Sequence, residues 1–185
     1  MRFSNFPAGF KLWFHATTAR FTRFSNQQMG QSNESNSFLG HFFSASIRGA
    51  LQYVRRQRAK GRPAVVHIVA IPEAKTYAAN EDEFWCVDEP GTPVGWKDEN
   101  GFDPFGGAAT RLQLMADGFK SIAIEDIDGT GPVKVVFDAA TIEPLAAVDA
   151  ETAAQMADWL DSNISQAAED AVKWDAMKSW VAKPR

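Results

Sequence analysis

Cysteine is nearly absent: Cys86 is the only one in 185 residues. No intrachain disulfide can form, and the usual structural zinc site, which needs at least a pair of thiolates, is excluded. A reducing interior is the natural compartment for such a chain. Long apolar runs are absent too. No segment approaches the roughly 20 apolar residues of a membrane helix, and the opening MRFSNFPAGFKLWF lacks a small-residue cleavage site behind an apolar stretch. The expected location is therefore cytoplasmic, in the producing or a target cell, with no signal peptide and no membrane partner. Positive charge is not in excess: 19 Lys and Arg against 23 Asp and Glu give a formal net charge of -4. There is no global attraction to nucleic acid or anionic lipid, so an anionic ligand must be held by local cations. The acids Glu81, Asp82, Glu83, Asp88 and Glu89 have no metal-ligand spacing, and no metal is expected.

What is present suits one domain. A composition 45% hydrophobic and 23% charged can bury enough apolar surface to offset chain entropy. Residues 11–15 alternate in an aromatic-rich, β-prone run that ends at His15. Residues 27–37, QQMGQSNESNS, read as a flexible loop. Residues 39–44, LGHFFS, form a second strand. Ser46 opens an amphipathic helix with Ile47, Ala50, Leu51 and Val54 on one face, and Gly61 closes it. AVVHIVAI, residues 64–71, is a central strand stopped by Pro72, with His67 structural. Residues 73–105 read as a long connection with at most one short helix. Residues 108–116 form a helix closed by Gly118, and residues 119–124 a strand. Asp128-Gly129 turns into a returning strand over residues 133–137. Asp149 is a good N-cap for a helical remainder whose apolar face carries Met156, Leu160, Ile164, Ala167, Val172, Met177 and Val181, with a break near residues 161–163. The architecture is α+β. Residues 1–147 form the main domain, and residues 148–185 a C-terminal helical extension packed on it. There, Trp159, Trp174 and Trp180 either anchor the extension or offer a surface to a partner protein. The basic run RRQRAKGR, residues 55–62, is a solvated helix end or a contact for an acidic acceptor.

Three fragments, in order, resemble the ADP-ribosyltransferase superfamily on its histidine-type branch, that of diphtheria toxin and the poly(ADP-ribose) polymerases. FHATT is similar to the strand-end His followed by Gly and Thr or Ser. GHFFSASIRGALQYV is similar to the Gly-x-Tyr-Phe strand running into a helix that bears a second Tyr, with Phe42 at the first Tyr and Tyr53 at the second. DGFKSIAIEDIDGTGPVKVVFDAATI looks like the closing hairpin of phage- and toxin-associated members. The resemblance implies a split β-sheet core with flanking helices. It also implies mono-ADP-ribosyl transfer from NAD to a protein or nucleic-acid acceptor, as in a bacterial toxin or effector or a phage protein.

On that resemblance His15 orients the ribose and the backbone of Ala16 meets the carboxamide. Phe42 and Tyr53 close on the nicotinamide. Thr17 and Ser44 line the cofactor-binding pocket, and Arg20, with Arg23 nearby, reaches the pyrophosphate. The family's catalytic Glu is replaced near Val133. The nearest carboxylates are Glu125, Asp126 and Asp128, and Asp126 is taken as the third catalytic element, brought in by a shift of hairpin register. The alternatives are a catalytically inactive module of the same fold that binds a partner protein or NAD, and an NAD glycohydrolase.

Overall fold

A computed structural model describes residues 5–29, 39–79, 97–98, 101–102, 106–127 and 129–181. The elements in chain order are β1 (Phe10–Thr17), β2 (His41–Ser44), α1 (Ile47–Tyr53), α2 (Arg55–Ala59), β3 (Val65–Pro72), β4 (Thr76–Ala79), β5 (Lys97–Asp98), β6 (Gly101–Phe102), α3 (Gly106–Ala116), β7 (Ser121–Ile124), β8 (Val133–Val136), β9 (Glu143–Asp149), α4 (Ala150–Asn163) and α5 (Asp170–Val181). The mixture of helix and sheet agrees with the α+β class read from the sequence. Residues 80–96, 99–100 and 103–105 of the expected long connection, loop residues 30–37 and the turn residue Asp128 lie outside the described residues. Among the described residues no helix is long and apolar enough to cross a membrane.

The chain divides into two compact units. The first comprises Met1–Arg23, Ser44–Glu73 and Thr141–Arg185. Here β3 pairs antiparallel with β1 from Phe10↔Pro72 to Thr17↔Val65, and with β9 on its other side. Leu12, Phe14, Val66, Ile68, Ala70, Ala146 and Val148 turn to one face, where Ile47 and Ala50 of α1, Ala153, Met156 and Ala157 of α4, and Trp174 and Met177 of α5 close the core. The pairing of β3 with β9 shifts register between Ile68 and Val69, opposite Ala146 and Pro144. The extra residue, Leu145, joins Ala146 in the core as a β-bulge allows. Asp170 at the start of α5 accepts the Leu12 amide at 2.9 Å, satisfying a backbone donor of β1 that β3 does not use.

The second unit comprises Phe24–Phe43 and Ala74–Ala140. Its strands run in the order β4, β7, β8, β2, with β4 parallel to β7 and β7 antiparallel to β8. Leu39, Leu114, Ile122, Ile124, Ile127, Val133, Val135 and Phe137 form its core. α3 ends as expected on Gly118, whose φ of 84° suits glycine.

Several boundaries differ from expectation. The helix drawn from Ser46 to Gly61 is interrupted at Val54 (φ −102°, ψ 3°), giving α1 and α2, although Ser46 does cap it and Gly61 does turn left-handed at φ 71°. β4 and β9 were not expected. TYAA is only four residues long, and EPLAAVD carries Glu, Pro, Asp and two Ala, which are poor in strands, so pairing with β7 and β3 supplies what the local sequence does not. Val172, expected on the apolar face, is 49% exposed, because residues 164–169 interrupt the helix and α5 restarts in a new phase that buries Trp174 instead.

Candidate functional site

β1 carries its chemistry on one face. Side chains alternate along a strand, and with Leu12 and Phe14 committed to the helix-covered core, His15 projects to the other face of the first unit's sheet. There it stands directly across from His67 of β3, and the two imidazole centroids are 6.3 Å apart. The chain leaving β1 folds back over this face. Phe21 stacks on His67 with centroids at 4.0 Å and planes 12° apart, and its ring lies 6.4 Å from that of His15. His67 Nε2–H donates to the Ala19 carbonyl at 3.4 Å, a long and weak bond. The Ala19 amide donates in turn to Thr17 Oγ1 at 3.2 Å. Arg20 is exposed between these two anchored residues.

The electrostatics follow from burial. His67 is 2% exposed, and loss of solvation pushes its pKa down to about 4. The bond to Ala19 opposes that fall, while His15 and Arg20 add to it. At neutral pH His67 is an uncharged donor beside a partly exposed His15 and an exposed, positively charged Arg20. Such a group can present an imidazole for hydrogen bonding and a guanidinium fork for a phosphate.

The other expected site residues fall as follows. Ala16 and Thr17 complete β1 beside His15, with Ala16 packed against the cluster of Val54, Ala64 and Ala150. Ser44 is buried, pairs with Phe14, and accepts the Ser46 amide at 3.2 Å. Tyr53, 50% exposed, ends α1, and α1 packs on the Leu12 and Phe14 face of β1, not on the face from which His15 projects. Phe42 belongs to the second unit and packs against that unit's core, while its neighbour Phe43 is 2% exposed and contacts Phe24. Asp126, also of the second unit, lies beyond the hairpin strands. These pair in regular register from Ser121↔Val136 to Ile124↔Val133, and Asp126 Oδ1 accepts the Gly131 amide at 2.8 Å. Among the described residues no three His, Cys, Asp or Glu side chains stand together as a metal-binding group.

Sequence reasoning weighed His67 as a structural residue and passed over Phe21. The available signal was register: two antiparallel strands, one with a histidine near its C-terminal end and the next with a histidine near its N-terminal end, place those histidines side by side once paired.

A scan against protein-family models gives no match, and neither does a comparison with curated proteins. Among solved structures, the chain is similar to a chain of the M. tuberculosis MbcT-MbcA toxin-antitoxin complex, with a TM-score of 0.52 and 12% identity, covering 79% of this chain and 88% of that one. An anti-CRISPR protein matches at a TM-score of 0.36 and 14% identity, over 74% of this chain and 96% of that one. The first likeness is one of fold.

Proposed function

We propose that this chain is a toxin- or effector-type protein that binds NAD and transfers its ADP-ribose to a macromolecular acceptor, a mono-ADP-ribosyltransferase. The observation that carries the reading is the placement of His15 near the end of β1, two residues before Thr17, with Arg20 on the turn that folds back beside it. This is the imidazole and fork donor that a ribose and a pyrophosphate need, on the fragment that resembles the superfamily. The fold likeness to a chain of a toxin-antitoxin complex is compatible with a toxin role and with a protein partner. In the reaction the nicotinamide-ribose C–N bond breaks, nicotinamide leaves with the electron pair, and an acceptor oxygen or nitrogen bonds to the ribose carbon as it gives up its proton. His15 orients the ribose and Arg20 the pyrophosphate. Ala16 and Thr17 supply the backbone next to His15.

A second reading, a module that binds NAD or a partner without transfer, is favoured by the Asp126 carboxylate, which already holds the Gly131 amide. Incubation with labelled NAD and cell lysate separates the two. Label on a macromolecule that disappears in His15→Ala supports the transferase. Saturable NAD binding with no label and no free nicotinamide supports the module, and nicotinamide release without an acceptor identifies a glycohydrolase. Absence of NAD binding to the folded wild type overturns all three.

A further inference from the structure

Resting on the reading that His15 and Arg20 meet NAD, we infer that Phe21 and His67 are positioning residues for that site: a stacked pair that fastens the turn after β1 and so fixes where His15 and Arg20 stand. Each part of the turn is tied. Thr17 Oγ1 holds the Ala19 amide, His67 holds the Ala19 carbonyl, and the Phe21 ring lies flat on the His67 imidazole. Arg20 lies between two fastened neighbours, so its backbone is set before a ligand arrives and less freedom is lost on binding. The Phe21 ring also borders His15 and limits the orientations its imidazole can take.

A purely packing role does not account for His67. It interrupts an otherwise apolar strand whose other members up to Ile71 are fully buried, where a β-branched residue would pack without the cost of burying a polar ring. What the imidazole adds is an N–H aimed at Ala19 and a flat face for Phe21. It must do so uncharged. Among the described residues, His15 from β1 and Arg20 from the turn act on it electrostatically, and both oppose a charge on it, while its partner on β9 is Ala147.

The test uses the full chain, with NAD as the probe, in calorimetric titrations of wild type, Phe21→Leu, Phe21→Tyr and His67→Gln, alongside NMR of the histidine rings. Phe21→Leu removes the stack and is expected to weaken NAD binding about three- to tenfold, while Phe21→Tyr, which keeps a ring, restores it. His67→Gln keeps an N–H but no ring face, and it is expected to weaken binding as well. It carries the comparison if Phe21→Leu does not fold. Affinity unchanged in these variants, or Phe21→Tyr as weak as Phe21→Leu, overturns the inference. A wild type that binds no NAD overturns the functional reading instead. The fastening is then judged by the rings alone: Phe21→Leu must shift the His15 resonances and raise the titration point of His67, and unmoved resonances refute it.

Discussion

At the scale of single residues, His67 makes folding depend on pH in a direction that can be worked out. Unfolded, its imidazole takes up a proton near 6.5, and folded it resists protonation until about 4. Between those values the unfolded chain binds more protons, so stability falls as the pH falls. The stabilisation is complete above 6.5, is lost progressively down to about 4, and changes no further below it. At about 1.4 kcal/mol per pH unit the loss is about 3 kcal/mol. Urea unfolding at pH 7.5 and 4.5 should show it in wild type, and His67→Phe should reduce the difference between the two conditions. An equal difference in the variant would mean that other groups set the dependence. Gly40 illustrates a different constraint. A Cβ there would lie 2.6 Å from the Val136 carbonyl oxygen and 2.9 Å from Val135 Cγ1. The nearer obstacle is backbone, so relief requires β8 to move. Gly40→Ala is expected to lower stability by about 1–3 kcal/mol, read as a lower denaturant midpoint.

At the scale of elements, caps and local pairs rank differently. Asp149 accepts the Thr152 amide through Oδ1 and the Thr152 hydroxyl through Oδ2, each at 2.8 Å, at the corner where β9 becomes α4. Asp149→Ala should cost about 1 kcal/mol. Arg48 links α1 to α4 through Asp158 and Asp161, both at 2.7 Å, but all three side chains are largely solvent-exposed. Arg48→Ala should therefore cost less than Asp149→Ala and be hidden further by added salt. Thermal unfolding of the two variants at low and high salt tests this order, and a larger loss in Arg48→Ala would reverse it. The same elements show what the sequence could and could not reveal. The cap at Asp149 and the hairpin of β7 with β8 are written in local chemistry, an acid before an apolar period and a turn between β-branched runs. β9 is not, because Pro144 near its start and Ala146 and Ala147 at its centre carry little strand signal and its stability comes from β3, which is more than seventy residues away in the chain. The phase of α5 was missed for a related reason: a periodicity read through residues 164–169 keeps one register, while the actual chain starts a second helix at Asp170.

At the scale of the whole molecule, the candidate site was legible only in part. His15 could be found because a strand-end histidine beside Ala and Thr has a recognisable pattern. The face it shares with His67 and Phe21 depends on strand pairing and on a turn that folds back, and neither is encoded within a short window. The same dependence on distant partners decides how the C-terminal helices are held. Trp174 is 1% exposed and sits in the first unit's core with Met156 and Met177, whereas Trp159 is 37% exposed and makes a tilted contact with Trp180 at 6.4 Å. Removing the buried indole deletes a large apolar volume from a core assembled from β1, β3, β9, α1, α4 and α5. Trp174→Ala is thus expected to cost about 3–5 kcal/mol. Trp159→Ala, which already faces solvent on one side, should cost about 1 kcal/mol or less. Hydrogen exchange gives the discriminating readout, because α5 also supplies the carboxylate that holds the Leu12 amide. In Trp174→Ala the amides of β1 and α5 should lose protection together, while in Trp159→Ala both keep it. Loss confined to α5 would show that the helix is a dispensable cover and that β1 holds its place, and with it His15, without that support.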